Sequence, residues 1–350
     1  MDKILIHGGY SLSGSIKVSG SKNSSLPILA ATLLTRETCV IHGVPDLSDT
    51  HYMLQILTYL GGQVERASGT VSVTAEKVHS VAPYDVVRKM RASVCVLGPS
   101  LGRCKEATVA LPGGCVIGDR PIDLHLKGFE ALGAAVRVEG GDIKVFAPKL
   151  TGAVIHMQGT FGPSVLGTDN VMMAAVLADG VTVIEGAAQE PEVVDLATFL
   201  NKMGAKIEGA GTRRIIIEGV PASRLHGAEH RVIPDRIETG TFLVAGAIAG
   251  QGITVKRAEP LHVRAVTDAL ARCGYPIEIG DQSVSILPNG DATALDLATE
   301  PYPGFPTDMQ AQMCALLSTS RGTSSVTENI FPQRYMHVAE LKRMNRKSVV

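Results

Sequence analysis

The chain has 350 residues, of which 45% are hydrophobic and 19% charged, so it is long enough to form two domains with sizeable cores. Its formal net charge is −1, from 33 basic and 34 acidic residues, which argues against a broad basic surface for nucleic acid or for an anionic membrane. Aromatic residues make up only 4% and tryptophan is absent, which disfavours stacking platforms for bases or sugars.

The cysteine pattern and the N-terminus narrow the class of protein further. None of the six cysteines forms a CxxC pair, which disfavours a zinc knuckle or a dithiol redox motif. The first residues show no basic region followed by an apolar stretch, and no run approaches 18 apolar residues. We therefore expect a cytoplasmic protein that uses no metal and no cofactor.

A repeated pattern runs along the chain: an apolar helix, a short β-branched strand, a second helix closed by a glycine, and a strand hairpin. The apolar first helices are predicted at 25–34, 86–101, 167–178, 236–249 and 309–317. The second helices are predicted to end at Gly61, Gly133, Gly204 and Gly274, since glycine readily takes the left-handed conformation that terminates a helix. Successive units are spaced by roughly seventy residues, so the chain is a repeat protein.

The fifth unit has an unusual end. It begins near residue 304 and its second helix is predicted at 335–344. There the sequence reads Asn-Arg-Lys-Ser-Val-Val, where the earlier units carry Gly-Ala or Gly-Gly and a strand hairpin. A repeat without its closing strands exposes an unpaired apolar face. A truncated or frame-altered C-terminus is therefore favoured over a naturally short final unit.

Two motifs point to anion binding. The sequence Ser-Gly-Ser-Lys-Asn at 19–23 precedes the first helix, and a lysine with free amides at a helix start suits a phosphate. Arg91 and Arg120 could clamp a phosphate or a carboxylate with their planar guanidinium groups. The alternatives are an exposed lysine in a capping loop and arginines in surface salt bridges.

Two further motifs could carry acid–base chemistry. Cys115 lies among three glycines and a proline, which cannot easily bury it, so its thiol could act as an acid or a nucleophile. Free cysteines elsewhere are usually buried and inert. Asp308 and Asp235 each stand at a helix start, where a carboxylate either caps the helix or takes a proton from a substrate hydroxyl.

Together these motifs resemble those of the UDP-N-acetylglucosamine 1-carboxyvinyltransferase family, which are enolpyruvyl transferases. The resemblance covers residues 1 to about 344. It is carried by Ser-Gly-Ser-Lys-Asn at 19–23, Arg-Lys-Met-Arg-Ala-Ser at 88–93, Pro-Gly-Gly-Cys at 112–115, Arg-Pro-Ile-Asp-Leu-His at 120–125, Pro-Asp-Arg-Ile-Glu-Thr-Gly at 234–240 and Phe-Pro-Thr-Asp-Met-Gln at 305–310.

The resemblance implies a two-domain α/β fold, an inside-out α/β barrel built from βαβαββ repeats, with the active site in the cleft between the domains. The first domain would span 22–231 with three repeats and carry the nucleotide sugar and the catalytic loop. The second would combine 1–21 with 232–350 and hold about one and a half repeats. Members of the family continue beyond the last residue of this sequence, with further arginines that bind phosphoenolpyruvate.

The resemblance also implies a reaction: the enolpyruvyl group of phosphoenolpyruvate moves to the 3′-hydroxyl of UDP-N-acetylglucosamine and phosphate is released. This is the first committed step of peptidoglycan synthesis. Cys115 would donate a proton to the methylene carbon and would be the residue alkylated by fosfomycin, and Asp308 would take the proton of the sugar hydroxyl. Phosphoenolpyruvate would contact Lys22, Asn23 and Arg120. The nucleotide sugar would be bound by a larger set: Arg91, Arg120, Pro121, Ile122, Asp123, Leu124, Gly162, Pro163, Ser164, Val165, Asp308 and Ile330.

Two other functions stay open at this point. A shikimate-type enolpyruvyl transferase would share the fold and phosphoenolpyruvate, but it does not use a loop cysteine, so Cys115 argues against it. An inactive truncated homologue would bind UDP-N-acetylglucosamine without turnover. Both expected partners are small molecules, and the oligomeric state is not predicted.

Overall fold

A computed structural model describes residues 5, 7–82, 84–87, 89–111 and 122–344 of the chain. Contacts divide it into two compact units. The larger unit comprises Ser19–Ile233 with Pro301–Pro303. The smaller unit comprises Pro234–Glu300 with the described residues before 19 and from 304 to 344.

The helices of the larger unit are those of the predicted repeats. They are α1 (Lys22–Ala31), α2 (Ser48–Tyr59), α3 (Tyr84–Val87), α4 (Leu97–Cys104), α5 (Asp123–Ala131), α6 (Val165–Ala175) and α7 (Pro191–Lys202). Every residue of α1 from Ser24 onward is buried, and so is every residue of α6 from Gly167 onward. These helices therefore form the interior of the unit.

Short sheets cover these helices, and their strands alternate between buried and exposed residues. The strands are β2 (Cys39–His42), β3 (Gln63–Ala67), β4 (Thr70–Thr74), β5 (Glu106–Ala110), β6 (Ala135–Glu139), β7 (Asp142–Phe146), β8 (Val154–His156), β9 (Gln158–Gly159), β10 (Gly162–Pro163), β11 (Val181–Glu185), β12 (Lys206–Glu208), β13 (Arg214–Glu218) and β14 (Glu229–Arg231). The alternation of β13 shows that one face packs on the helices and the other meets solvent. The helices lie inside the unit and the sheets lie outside them, which is the inside-out arrangement.

Two sheets of the larger unit join a parallel strand pair to an antiparallel hairpin, whereas the three-stranded sheet and the β9–β10 pair are antiparallel throughout. The strand orders are β14-β2-β4-β3, β5-β7-β6 and β12-β13-β11-β8, and β9 pairs with β10 alone. In the first sheet β14 pairs in parallel with β2, with His230 opposite Ile41. The last strand of the unit therefore completes the sheet of its first repeat.

The smaller unit repeats this plan. Its helices are α8 (Arg236–Ala249), α9 (Arg264–Arg272), α10 (Gln310–Leu317) and α11 (Met336–Arg343). Its strands are β1 (Leu12–Lys17), β15 (Gly250–Lys256), β16 (Ile277–Gly280), β17 (Ser283–Ile286), β18 (Leu297–Ala298) and β19 (Val326–Thr327). β1 pairs in parallel with β15, in a sheet of order β1-β15-β17-β16, while β18 and β19 form a parallel pair. A separate core around Leu243, Leu270 and Met313 holds this unit together.

The helix ends follow the prediction, but one predicted helix is broken. Gly61, Gly133, Gly204 and Gly274 all have positive φ, between 92° and 102°. The single helix predicted at 86–101 is wrong: α3 ends at Val87, a 3₁₀ helix covers Arg91–Val96, and α4 begins at Leu97. Pro99 has no amide hydrogen for the carbonyl of residue 95, so it is accommodated in the first turn of a new helix.

Candidate active site

The first turn of α1 presents the predicted phosphate-binding residues Lys22 and Asn23. Ser21 caps the helix, because its hydroxyl accepts a hydrogen bond from the amide of Ser24 at 3.3 Å. The Lys22 ammonium is 39% exposed and lies 3.2 Å from the Asp49 carboxylate. The lysine thus lies at the positive end of a helix, with its charge accessible to solvent.

Arg91 lies close to the first turn of α5, which carries Ile122, Asp123 and Leu124. The pKa of His125 on this turn is lowered to about 4, first by burial and second by the positive charge of Arg91, against an opposing effect of Asp123. Two segments that are distant in sequence are therefore brought together, as the predicted nucleotide-sugar site requires.

Asn170 on the buried helix α6 fixes this arrangement. Its amide nitrogen donates to Nδ1 of His125 at 2.9 Å and to the carbonyl of Val94 at 2.8 Å. Its amide oxygen accepts from the backbone N–H of Gly98 at 2.9 Å. One side chain thereby joins α5 to the 3₁₀ helix that begins at Arg91 and to α4. Neither Asn170 nor His125 was among the predicted site residues.

The β9–β10 hairpin brings the remaining predicted residues of the larger unit to α5. A Cβ atom on Gly159 would lie 3.2 Å from Cδ1 of Leu124, so Leu124 packs against the hairpin that contains Gly162 and Pro163. Ser164 follows directly and caps α6, accepting from the amide of Gly167 at 3.1 Å, and Val165 is the first residue of that helix. The segment 122–124 thus contacts the hairpin that leads into 162–165.

In the smaller unit, Asp308 forms an ion pair rather than a helix cap. Nη1 of Arg334 donates to Oδ1 of Asp308 at 2.6 Å and to the hydroxyl of Thr307 at 3.1 Å. Asp235 behaves differently: its carboxylate accepts from the amides of Ile237 and Glu238 and caps α8. Of the two helix-start aspartates, the structure therefore assigns the capping role to Asp235.

Glu328 holds Ile330 next to Asp308. Its buried carboxylate accepts four hydrogen bonds, of 2.8 to 2.9 Å. The donors are the hydroxyls of Thr299 and Thr307 and the backbone amides of Ile330 and Phe331. The segment of Ile330 is thereby tied to the residue before Asp308. Arg334 and Glu328 were not predicted as site residues, because their roles depend on contacts across more than twenty residues of sequence.

Asp169 is a buried acidic group that the sequence did not identify. It lies on α6 with no exposed surface, and neither of its carboxyl oxygens has a hydrogen-bond partner among the described residues. Burial raises its pKa well above the usual range, and the negative charges of Glu190 and Glu192 raise it further. Both effects favour the protonated, uncharged form of Asp169.

Three of the predicted site residues, Cys115, Arg120 and Pro121, lie outside the described residues. Within the described ranges, no group of three or more His, Cys, Asp or Glu side chains could hold a metal ion. No helix in that part of the chain is both long and apolar enough to cross a membrane.

Comparison with known proteins agrees with this fold. The chain superposes on the enolpyruvyl transferase NikO from Streptomyces tendae with a TM-score of 0.86 and 23% identity, over 96% of this chain and 80% of that one. The predicted fold class, an inside-out α/β fold of βαβαββ repeats, is thus confirmed. The chain therefore has the fold of that enolpyruvyl transferase.

The sequence comparisons specify the family. Residues 6–349 match the family described as EPSP synthase (3-phosphoshikimate 1-carboxyvinyltransferase). The UDP-N-acetylglucosamine 1-carboxyvinyltransferase of Akkermansia muciniphila is 56% identical over 347 residues, covering 98% of this chain and 81% of that protein. The enzyme of the same name from Methylacidiphilum infernorum is 56% identical over 344 residues, with the same coverage. The chain therefore belongs to the EPSP synthase family and, within it, to the UDP-N-acetylglucosamine 1-carboxyvinyltransferases.

Proposed function

We propose that this protein transfers the enolpyruvyl group of phosphoenolpyruvate to the 3′-hydroxyl of UDP-N-acetylglucosamine and releases phosphate. The observation that carries the proposal is the 56% identity to enzymes named for this reaction, over 98% of the chain. Identity at this level favours the activity of these enzymes over that of the shikimate-type transferase, although the broader family is named after the latter. The same proposal makes the reaction the first committed step of peptidoglycan synthesis, with consequences for cell shape and cell division. The cytoplasmic location stays a prediction.

The residues of the larger unit are proposed to bind the substrates. Lys22 and Asn23, with Arg120, bind phosphoenolpyruvate, since a lysine at the start of α1 offers a positive charge and free amide groups. The nucleotide sugar lies against Arg91, the first turn of α5 and the segment 162–165. The proximity of Arg91 to α5 and the packing of Leu124 on the β9–β10 hairpin support this assignment.

The chemistry needs a base for the sugar hydroxyl and an acid for the enol ether. Asp308 is proposed as the base: Oδ1 is held by Arg334, and Oδ2 accepts no hydrogen bond from the described residues, so it is available for the hydroxyl proton. As O3′ bonds to C2 of phosphoenolpyruvate, the Cys115 thiol gives its proton to C3. The resulting ketal then loses a proton from C3 and breaks the bond from C2 to the phosphate oxygen.

Phosphate release from phosphoenolpyruvate tests the reaction, measured with and without UDP-N-acetylglucosamine. We expect release that needs both substrates and that falls by at least about a hundredfold in Asp308→Asn, the usual scale of a lost general base. Asp281→Asn is the matched control, because Asp281 is an exposed residue of the β16–β17 turn. Binding of the nucleotide sugar without phosphate release would instead identify an inactive homologue.

Alkylation by fosfomycin tests the assignment of Cys115. We expect a single adduct on Cys115, formed faster with the nucleotide sugar present and located by peptide mass mapping. Cys39 provides an internal control in the same sample, because burial raises the pKa of its thiol to about 11. An adduct on another cysteine, or none, would remove Cys115 from the acid role.

A further inference from the structure

Behind the first turn of α1 lies a buried polar cluster formed by Ser24, Asp195 and His230. All three side chains are at least 95% buried. The Ser24 hydroxyl donates to Oδ2 of Asp195, and Nε2 of His230 donates to Oδ1 at 2.8 Å. The cluster is no nucleophilic triad, because the carboxylate lies in the middle and accepts from both neighbours.

Asp195 accepts a third hydrogen bond, and this one comes from the backbone. The amide of Ile233 donates to Oδ2 at 3.2 Å. The carbonyl of Ile233 in turn accepts from the amide of Ser21, the cap of α1, at 2.8 Å. A carboxylate on α7 is thus bonded to the first turn of α1, to β14 and to the segment that follows β14.

These contacts join two of the places where the chain passes between its units. The chain enters the larger unit at Ser19 and leaves it after Ile233. Space is tight here, since a Cβ atom on Gly20 would overlap the carbonyl oxygen of Gly43. The start of α1 is therefore held by two hydrogen bonds, one from Ser24 to Asp195 and one from the amide of Ser21 to the carbonyl of Ile233, whose own amide donates to Asp195.

We propose that Asp195 is a positioning residue for the phosphoenolpyruvate end of the site. Through Ser24 and Ile233 it fixes the first turn of α1, and with it the side chains of Lys22 and Asn23, without touching the substrate. A buried carboxylate needs its hydrogen-bond donors, because an unsatisfied buried polar group costs free energy, so the position of the turn is coupled to these bonds. The inference rests on the proposed function, because it takes Lys22 and Asn23 as contacts of phosphoenolpyruvate.

A pair of serine variants tests the inference. Ser24→Ala removes the bond to Asp195, whereas Ser25→Ala removes an equally buried hydroxyl that donates to the carbonyl of Ser21 instead. We expect Ser24→Ala and Asp195→Asn to raise the KM for phosphoenolpyruvate by about tenfold, the effect of one lost hydrogen bond to a charged group. The KM for UDP-N-acetylglucosamine should change less than about twofold, and Ser25→Ala should leave both values near those of the unaltered protein.

The split between the two KM values separates positioning from a purely structural role. Loss of folded protein alone would lower kcat and leave both KM values unchanged. His230→Gln provides a rescue, because its amide nitrogen can still donate to Asp195, whereas His230→Phe cannot. Equal KM values for phosphoenolpyruvate in Ser24→Ala and Ser25→Ala would overturn the inference.

Hydrogen exchange tests the same contacts independently of turnover. The amides of Ser21 and Ile233 should exchange about tenfold faster in Ser24→Ala and Asp195→Asn than in Ser25→Ala. If these amides exchange faster in the two variants but the unaltered protein shows no turnover, the anchoring role is supported and the proposed reaction is refuted. Unchanged exchange would refute the anchoring role even if the reaction is confirmed.

Discussion

Acidification should destabilise the protein through His125, and the size of the effect follows from its environment. The ring is buried, its Nδ1 accepts from Asn170, and Arg91 adds a positive charge nearby, so the folded state holds this histidine neutral. The perturbation that isolates it is His125→Asn. The asparagine oxygen can accept the same hydrogen bond from Asn170, but the side chain does not titrate.

The sign and magnitude come from proton linkage. The pKa of His125 is lowered to about 4 by burial and by Arg91, against 6.5 for an unperturbed histidine. Between these values the unfolded chain binds a proton that the folded chain does not, so the free energy of unfolding falls as the pH falls. At about 1.4 kcal/mol per pH unit, the full difference is about 3 kcal/mol, most of which is lost by about pH 4.5.

Urea denaturation followed by far-UV circular dichroism at about pH 7 and pH 4.5 measures the effect. The unaltered protein should lose about 2–3 kcal/mol more than His125→Asn over this range. Asp169 has the opposite effect on stability as the pH falls, because burial raises its pKa and acid favours its protonated form. It is present in both proteins, so its contribution cancels in the comparison. Equal pH dependence of the two proteins would refute the account of His125.

Three further predictions concern packing and burial. Glu328→Ala should lower the free energy of unfolding, measured in urea, by about 3–5 kcal/mol, because buried donors lose their acceptor. Glu328→Gln should lower it by only about 1–2 kcal/mol, and equal losses in the two variants would contradict this account. Gly98→Ala should lower the free energy of unfolding several times more than the control Gly290→Ala, as compared by thermal melting. A Cβ atom at residue 98 would overlap the carbonyl of Asn170, whereas residue 290 has open space. Burial raises the pKa of the Cys39 thiol to about 11, so Cys39 should react with iodoacetamide at about pH 8 at least tenfold more slowly than glutathione does. An equal rate in a time course followed by peptide mapping would show that the thiol is accessible.

Local rules of sequence predicted the repeating elements of the fold. Gly133 and Gly204 end their helices with positive φ because a residue without Cβ takes that conformation at little cost, and this depends on no distant contact. The pairing of β14 with β2 was not predictable in this way, since it joins residues nearly two hundred positions apart. Periodicity identifies a strand and its buried face, but not the strand beside it.

The same division applies to the site. Lys22 and Arg91 stand out in the sequence because charge at a helix start has a local meaning. Asn170 and Glu328 do not, because an amide or a carboxylate within an element is ordinary until its partners are known. The bonds of Asn170 reach 45 to 76 residues along the chain, so no local pattern reveals them.

The larger unit shows one arrangement at the starts of α1 and α5. The exposed first positions of α1 and α5 carry predicted ligand contacts, while a residue slightly further along is buried and bonded to another helix: Ser24 to Asp195, and His125 to Asn170. At α6 the hydroxyl of Thr168 bonds back to the carbonyl of Ser164 and accepts from the amide of Ala188.

This arrangement follows from burying helices under sheets. A helix inside the unit exposes little besides its first turn, where unpaired N–H groups favour anions, so the first turn is where a phosphate-bearing substrate can bind. The same burial lets a polar residue at the inner side of the first turn reach a neighbouring helix and fix that turn. A repeat that supplies one buried helix start after another therefore supplies both the first turns proposed here to bind anions and the means of holding those turns in position.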